Sequence, residues 1–178
     1  MQKYKFTGET KEVYGCTLHQ IVCVTAFASV AAGEVGGYIE KEVNLSQDGN
    51  AWVFGDAEVC GDAEVFGNAE VCGNAEVFGN AEVCGNAEVC GNAILRRGST
   101  ETATDYIVIG PQGSRRSFAT LHLPSNTVCT GCFVGDLNEF KVAVSTSHNH
   151  CKIFNEQYQR VIQVFEFYAK DRQDKDVQ

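Results

Sequence analysis

Residues 109–116 read Ile-Gly-Pro-Gln-Gly-Ser-Arg-Arg and carry the strongest chemical signal in the chain. Gly110 and Gly113 let a backbone come close to a ligand, and Ser114 offers a hydroxyl. Arg115 and Arg116 are guanidinium forks that can grip a phosphate or carboxylate in bidentate fashion. Arg96 and Arg97 add two cations, so four of the six arginines lie between 96 and 116. The chemistry predicted is capture of a small anion. The same residues also fit a plain hairpin loop, with Pro111 at the first corner of a type I turn and Gly113 at its end. No helix follows, which excludes a Walker or Rossmann loop.

A second group has the residue types of a zinc site: Cys129 and Cys132 at CxxC spacing, then His148, His150 and Cys151. Cys129 and Cys132 form a real ligand pair in many proteins. His148 and Cys151 are weaker partners, because they fall between helices without a fixed spacing. Small cysteines are also ordinary strand residues. A redox role is weaker still, since no helix N-terminus follows the motif to lower a thiol pKa. Metal therefore stays open, and no cofactor is expected.

The elements that must position these groups are set by a repeat. From Gly49 the sequence runs GNAWVF, GDAEVC, GDAEVF, GNAEVC, GNAEVF, GNAEVC, GNAEVC, GNAIL. A period of six outranks local propensity and is the period of a parallel β-helix. Val and Ala two residues apart face one side of an extended run. Gly-Asn or Gly-Asp supplies the positive φ of a corner. Three runs and three corners make an eighteen-residue triangular coil, and eight hexads give about two and two-thirds coils. At that spacing Asn68 stacks over Asn86, an amide ladder that exchanges hydrogen bonds. Glu58 lies over Glu76, Glu64 over Glu82 and Glu70 over Glu88, so these carboxylates should point to water. A metal-binding carboxylate ladder is the less economical reading. The residue after each Val alternates Phe and Cys, which paints an apolar stripe on each face: Phe54, Cys72 and Cys90; Cys60 and Phe78; Phe66 and Cys84. Such stripes call for burial against flanking segments or another subunit.

Val followed four residues on by Ala over all eight hexads resembles the hexapeptide-repeat, left-handed β-helix proteins. That resemblance implies a homotrimer. It also brings acyl transfer, the best-known activity of the group, with a histidine as general base. Here residues 49–95 hold no histidine; the four are His19, His122, His148 and His150. Acyl-donor binding in that class also uses a longer prism, so the acyltransferase reading is the poorer one.

The two ends of a short solenoid need covers. Residues 1–48 read as a β cap: strands YKF and KEVY around a turn at Thr7-Gly8-Glu9-Thr10, then CTLHQIVCV, then an irregular first coil through Tyr38-Ile39 and Val43-Asn-Leu45. Residues 49–97 are the repeat. Residues 98–178 read as an α+β module in the order β-β-β-α-α. Its strands are 106–109, 117–123 and 127–133. Asp136 and Glu139 form a capping box for the first helix, with Leu137, Phe140 and Val144 on its apolar face. Phe154, Tyr158, Val161, Ile162, Phe165 and Tyr168 recur at helical spacing in the second, and the tail from Lys170 is expected to fray. The fold class is thus mainly β: a short left-handed parallel β-helix with an N-terminal β cap and a C-terminal α+β module.

YKFTGETK, GEVGGYIEKEVNLSQDGNAWVFGDAEV, DYIVIGPQGSRR and GCFVGDLNEF together resemble a family of uncharacterised phage and prophage proteins that join hexapeptide repeats to such a module. With the arginine loop, this implies a non-enzymatic homotrimer that sequesters a small anionic, nucleotide-like ligand, such as an immune signal of the host, in counter-defence. The alternative partner is a host defence protein, held by a structural or protein-binding trimer.

Composition supports a folded chain, with 44% hydrophobic residues in 178. Nine cysteines, an odd number, fit a reducing compartment. No apolar run approaches a membrane span and the first residues lack a secretory core, so a cytoplasmic location is expected. Residues 42–95 hold ten Asp or Glu and no Lys or Arg, whereas the whole chain carries −9. Direct nucleic-acid binding by the repeat is therefore not expected.

Overall fold

Two residues of each hexad, Ala and the Val two places on, point inward and build the centre of the N-terminal unit. In the computed structural model, which describes residues 2–148 and 150–176, each repeat Ala from Ala51 to Ala93 and each Val from Val53 to Val89 is almost wholly buried. The chain divides into two compact units, Met1–Ala103 and Thr104–Gln178.

The first unit opens with β1 (Tyr4–Val13), β2 (Cys16–Cys23) and β3 (Val35–Ile39). After a 3-10 turn at Glu42–Asn44 come the short rungs β4 (Trp52–Val53), β5 (Glu58–Val59), β6 (Glu64–Val65), β7 (Glu70–Val71), β8 (Glu76–Val83), β9 (Glu88–Val89) and β10 (Ile94–Thr100). Rungs pair in parallel at eighteen-residue register: Val53 with Val71, Val71 with Val89, Val59 with Val77 and Val65 with Val83. Main-chain bonds join successive coils, as from Trp52 N–H to Ala69 O at 3.0 Å. Each corner glycine has positive φ, and a Cβ on Gly49 would lie 2.6 Å from Gly67 O. The amide ladder forms as expected: Asn50 Nδ2 donates to Asn68 Oδ1 at 3.0 Å, and Asn68 Nδ2 to Asn86 Oδ1 at 3.2 Å.

The solenoid is longer than its strict hexads. Below them, Ile39 pairs in parallel with Val59 and Leu45 bridges Val65, which is the irregular first coil. Its register is twenty residues, because the corner between Leu45 and Trp52 carries two extra. Asn44 holds that coil in place, with Nδ2 donating to Gly61 O at 3.1 Å and Ala63 O at 2.8 Å. Above them, β10 continues to Thr100, with its register shortened to seventeen after Leu95 (Arg97 opposite Asn80, Thr100 opposite Val83).

Thr7-Gly8-Glu9-Thr10 is not a turn between strands. It is an irregularity inside one ten-residue strand, β1, and the reversal comes at Tyr14-Gly15, both with positive φ. The β1–β2 hairpin covers the face bearing Cys60 and Phe78, where Leu18 packs against both, with Val13, Cys16 and Tyr38 at the edge. Of the other stripes, Phe66 remains 36% exposed. The glutamates do not all reach water: Glu58 and Glu76 are half-buried, and Lys11 Nζ closes on Glu58 at 2.8 Å.

The second unit is a four-stranded antiparallel sheet in chain order, β11 (Tyr106–Gln112), β12 (Ser117–His122), β13 (Thr127–Thr130) and β14 (Phe133–Asp136), followed by α1 (Leu137–Ser147) and α2 (Lys152–Asp176). The single strand expected over 127–133 is two strands, split by a turn at Gly131, whose φ is +52°. Asp136 caps α1, accepting from Asn138 N–H and Glu139 N–H, and Glu139 returns the bond to Asp136 N–H at 2.8 Å. Leu137, Phe140 and Val144 pack with Tyr158, Ile162 and Phe165 onto Ala119, Leu121 and Val128. Helix α2 does not end at Lys170: it runs on to Asp176, and Arg172 Nη1 donates to Asp105 Oδ1 at 2.7 Å.

Candidate anion-binding site

The 109–116 segment spans the end of β11 and the turn into β12. Pro111 is not a turn corner: it lies in β11 after a cis Gly110-Pro111 bond, and the turn itself is Gly113 to Arg116, closed by Arg116 N–H to Gly113 O at 3.2 Å. The turn lies against α2. Gly113 N–H donates to Gln157 Oε1 at 2.9 Å, and a Cβ on Gly113 would lie 2.7 Å from the Tyr158 hydroxyl. The glycine is required by this approach, at a φ of +71° that side chains disfavour. A Cβ on Gly110 would likewise lie 2.8 Å from Phe118 Cα of the neighbouring strand.

Past Gly113 the turn opens a cavity of about 480 Å³, within the range of small-ligand pockets. Ser114 and Arg115 form one side, together with Ser117. The β13–β14 turn supplies Thr130, Gly131 and Cys132, and the helices supply Phe140, His148 and Tyr158. The His148 imidazole stacks on the Tyr158 ring, with centroids 4.8 Å apart and planes at 17°. Phe140 meets Tyr158 edge-on at 6.1 Å. Burial raises the Tyr158 phenol above its ordinary pKa, against the opposing pull of the Thr130 hydroxyl and the Arg115 charge. The phenol therefore stays neutral at physiological pH. The cavity thus brings a guanidinium and hydroxyls together with aromatic rings, a lining that suits a phosphate joined to a flat ring.

The candidate residues divide. Ser114 and Arg115 line this cavity, whereas Arg116 takes a positive φ and is not among its walls. Gly110 lines a smaller cavity of about 290 Å³ with Pro111, Gln112, Gln157 and Arg160. Gln112 is buried there, and neither atom of its amide has a hydrogen-bond partner among the described residues. Arg96 and Arg97 lie on β10 of the other unit. The Arg96 guanidinium sits 5.3 Å from the Phe78 ring centroid and 5.7 Å from that of Tyr14, while Arg97 is exposed.

The zinc candidates also separate. Cys129 is buried on β13, Cys132 is exposed in the turn, and Cys151 lies just before α2. Among the described residues, the sulfurs of Cys129, Cys132 and Cys151 and the imidazole of His148 do not gather within 4.8 Å of one another. Cys132 and His148 instead meet Ser114 and Arg115 around the large cavity. Helical spacing alone does not connect Tyr158 with the arginine turn; the signal for that contact is Gly113, a glycine that answers to a bulky neighbour. Of the other histidines, His19 stacks on Phe6 at 4.8 Å, and buried His122 has Nδ1 2.6 Å from Ser125 Oγ.

Among the described residues, no helix is long and apolar enough to cross a membrane. No family model matches the chain. Over 51 residues, 29% of its length, the chain is 39% identical to the uncharacterized acetyltransferase YdcK of Escherichia coli (strain K12). The match spans 15% of that protein. It accords with the hexapeptide-repeat solenoid described above.

Proposed function

We propose that this is a non-enzymatic binding protein whose C-terminal unit captures a small anionic, nucleotide-like ligand in the 480 Å³ cavity. The observation that carries this reading is that Ser114 and Arg115 line the same cavity as the stacked rings of His148 and Tyr158. Arg115 supplies a charge-assisted, two-pronged grip on phosphate. Ser114 adds a hydroxyl donor, and the aromatic wall offers a face for a base. Arg116 adds positive charge on the same turn without lining the cavity. In the proposed setting the protein is a cytoplasmic homotrimer that sequesters a nucleotide immune signal, as the likeness to phage proteins implies. The partly exposed Phe54–Cys72–Cys90 and Phe66–Cys84 stripes are its proposed subunit contacts.

Thermal shift and calorimetry with cyclic dinucleotides and ADP-ribose derivatives test the reading. Binding is expected for the wild type and weakened about 10- to 100-fold by Arg115→Ala, as loss of a charged hydrogen bond implies. No binding to any member of either class contradicts it. A purely structural or protein-binding trimer would keep its activity in the Arg115→Ala, Arg116→Ala double variant.

Acyl transfer is the second reading, supported by the match to a protein named an acetyltransferase and by His148 at the cavity. It predicts coenzyme A binding and loss of turnover in His148→Ala.

A further inference from the structure

The column of residues that follows each inward Val alternates Phe and Cys, but its first member on the hairpin-covered face is Glu40. Glu40 follows Ile39, which pairs with Val59, so it lies one coil below Cys60. Glu40 N–H donates to Val59 O at 3.0 Å, fixing that register. Cys16, the first residue of β2, is carried over the same column by the hairpin. The result is two sulfurs and one carboxylate oxygen, from three separate segments, all within 4.8 Å of one another. Among the described residues no other set of three or more Cys, His, Asp or Glu ligand atoms gathers so closely.

Several features of this cluster are those of a built site. Cys60 is 5% exposed, and Leu18 and Phe78 wall it on the apolar side. Glu40 Oε2 accepts the Gly61 N–H at 2.7 Å, which orients the carboxylate and leaves its other oxygen available. Nearby ammonium groups do not relieve this concentration of acceptors directly: Lys41 Nζ is held by Asp62 at 3.0 Å, and Lys11 Nζ by Glu58 at 2.8 Å. A bound divalent cation would deprotonate the thiols outright.

We propose that Cys16, Glu40 and Cys60 bind one thiophilic divalent cation of the zinc class, clamping the β1–β2 hairpin to the first two coils. Zinc–sulfur bonds of ~2.3 Å in a tetrahedron place two sulfurs ~3.8 Å apart, so the present spacing needs only a small inward movement. Two thiolates and one carboxylate leave a fourth position for water. Binding converts two thiols and a carboxylate to a bis-thiolate, mono-carboxylate complex and releases two protons to solvent. No electron transfer is involved.

The test uses the full chain, fully reduced and kept anaerobic, titrated with Co2+ and then Zn2+. The expected result is one Co2+ per chain, with a thiolate-to-cobalt charge-transfer band and the visible bands of a tetrahedral ion, both removed by Zn2+. Cys16→Ala should abolish the spectrum, and Glu40→Gln should weaken Co2+ binding at least ~10-fold. The Cys72→Ala, Cys90→Ala double variant should leave the spectrum unchanged. Zn2+ should also raise the Tm of the wild type but not of Cys16→Ala, with circular dichroism confirming that the variant folds. A folded wild type without the cobalt spectrum would overturn the proposal. So would a spectrum that survives Cys16→Ala, one lost with Cys72 and Cys90, or a Cys16–Cys60 disulfide in air with no Co2+ binding after reduction.

Discussion

At the scale of single residues, this protein accepts several costs that titration can expose. Lys3 lies with its ammonium 2.9 Å from Ala51 O and 5.1 Å from the Phe27 ring centroid, and burial lowers its pKa to about 8. Between pH 8 and 10.5 the unfolded chain holds the proton and the folded chain does not, so this residue adds stability as pH rises through that window. Melting of Lys3→Met beside the wild type should show the difference moving in favour of the wild type from pH 8 to 10.5. A constant difference would contradict the burial of a charged Lys3. Glu76 is the acidic counterpart: burial first, then Glu58 below it, raise its pKa, although Arg96 and the Tyr14 hydroxyl pull the other way. Its ionisation disfavours the fold, so stability attributable to Glu76 falls as pH rises above the ordinary carboxylate pKa. Glu76→Gln should melt higher than the wild type at pH 7 and lose that advantage in acid. Glu58 over Glu76 was legible from the eighteen-residue spacing. Their shielding was not, because it depends on where a separate hairpin lies.

At the scale of elements, the corner glycines differ in a way the repeat alone hides. A Cβ at Gly49 meets Gly67 O at 2.6 Å, while at Gly91 nothing lies within 4 Å. Both have positive φ, so both carry the conformational penalty of ~1–2 kcal/mol for a side chain. Gly49→Ala should therefore destabilise more than Gly91→Ala, which denaturant melts can resolve; equal losses would mean that the coils yield without cost. Leu95, at 1% exposure, closes the last full valine position, and Leu95→Ala should cost about 2–5 kcal/mol. The rungs were legible because a six-residue period with two inward positions leaves one way to bury Val and Ala. The reversal at Tyr14-Gly15 was not, because Gly8 offers an equally good local turn and only pairing across β1 and β2 decides between them. The β13–β14 turn was hidden for the same reason. Cys129-Thr-Gly-Cys132 reads as continuous strand until antiparallel partners divide it, with Thr130 opposite Phe133.

At the scale of the whole molecule, charge and chemistry are segregated by unit. The acidic 42–95 stretch lies within the solenoid, and the proposed anion site lies in the C-terminal unit among residues 114–158. The arginine turn was visible in sequence as a cation-rich, glycine-containing loop. Its aromatic wall was not, since His148 and Tyr158 approach it only through the fold of α1 and α2 against the sheet. In the proposed function these distant segments form one ligand site. Hydrogen–deuterium exchange of the full chain with and without saturating ADP-ribose or a cyclic dinucleotide tests it most directly. New protection is expected at residues 113–117, 130–133 and 150–158, lost in Arg115→Ala. Protection elsewhere, or none with any member of either ligand class, would contradict it.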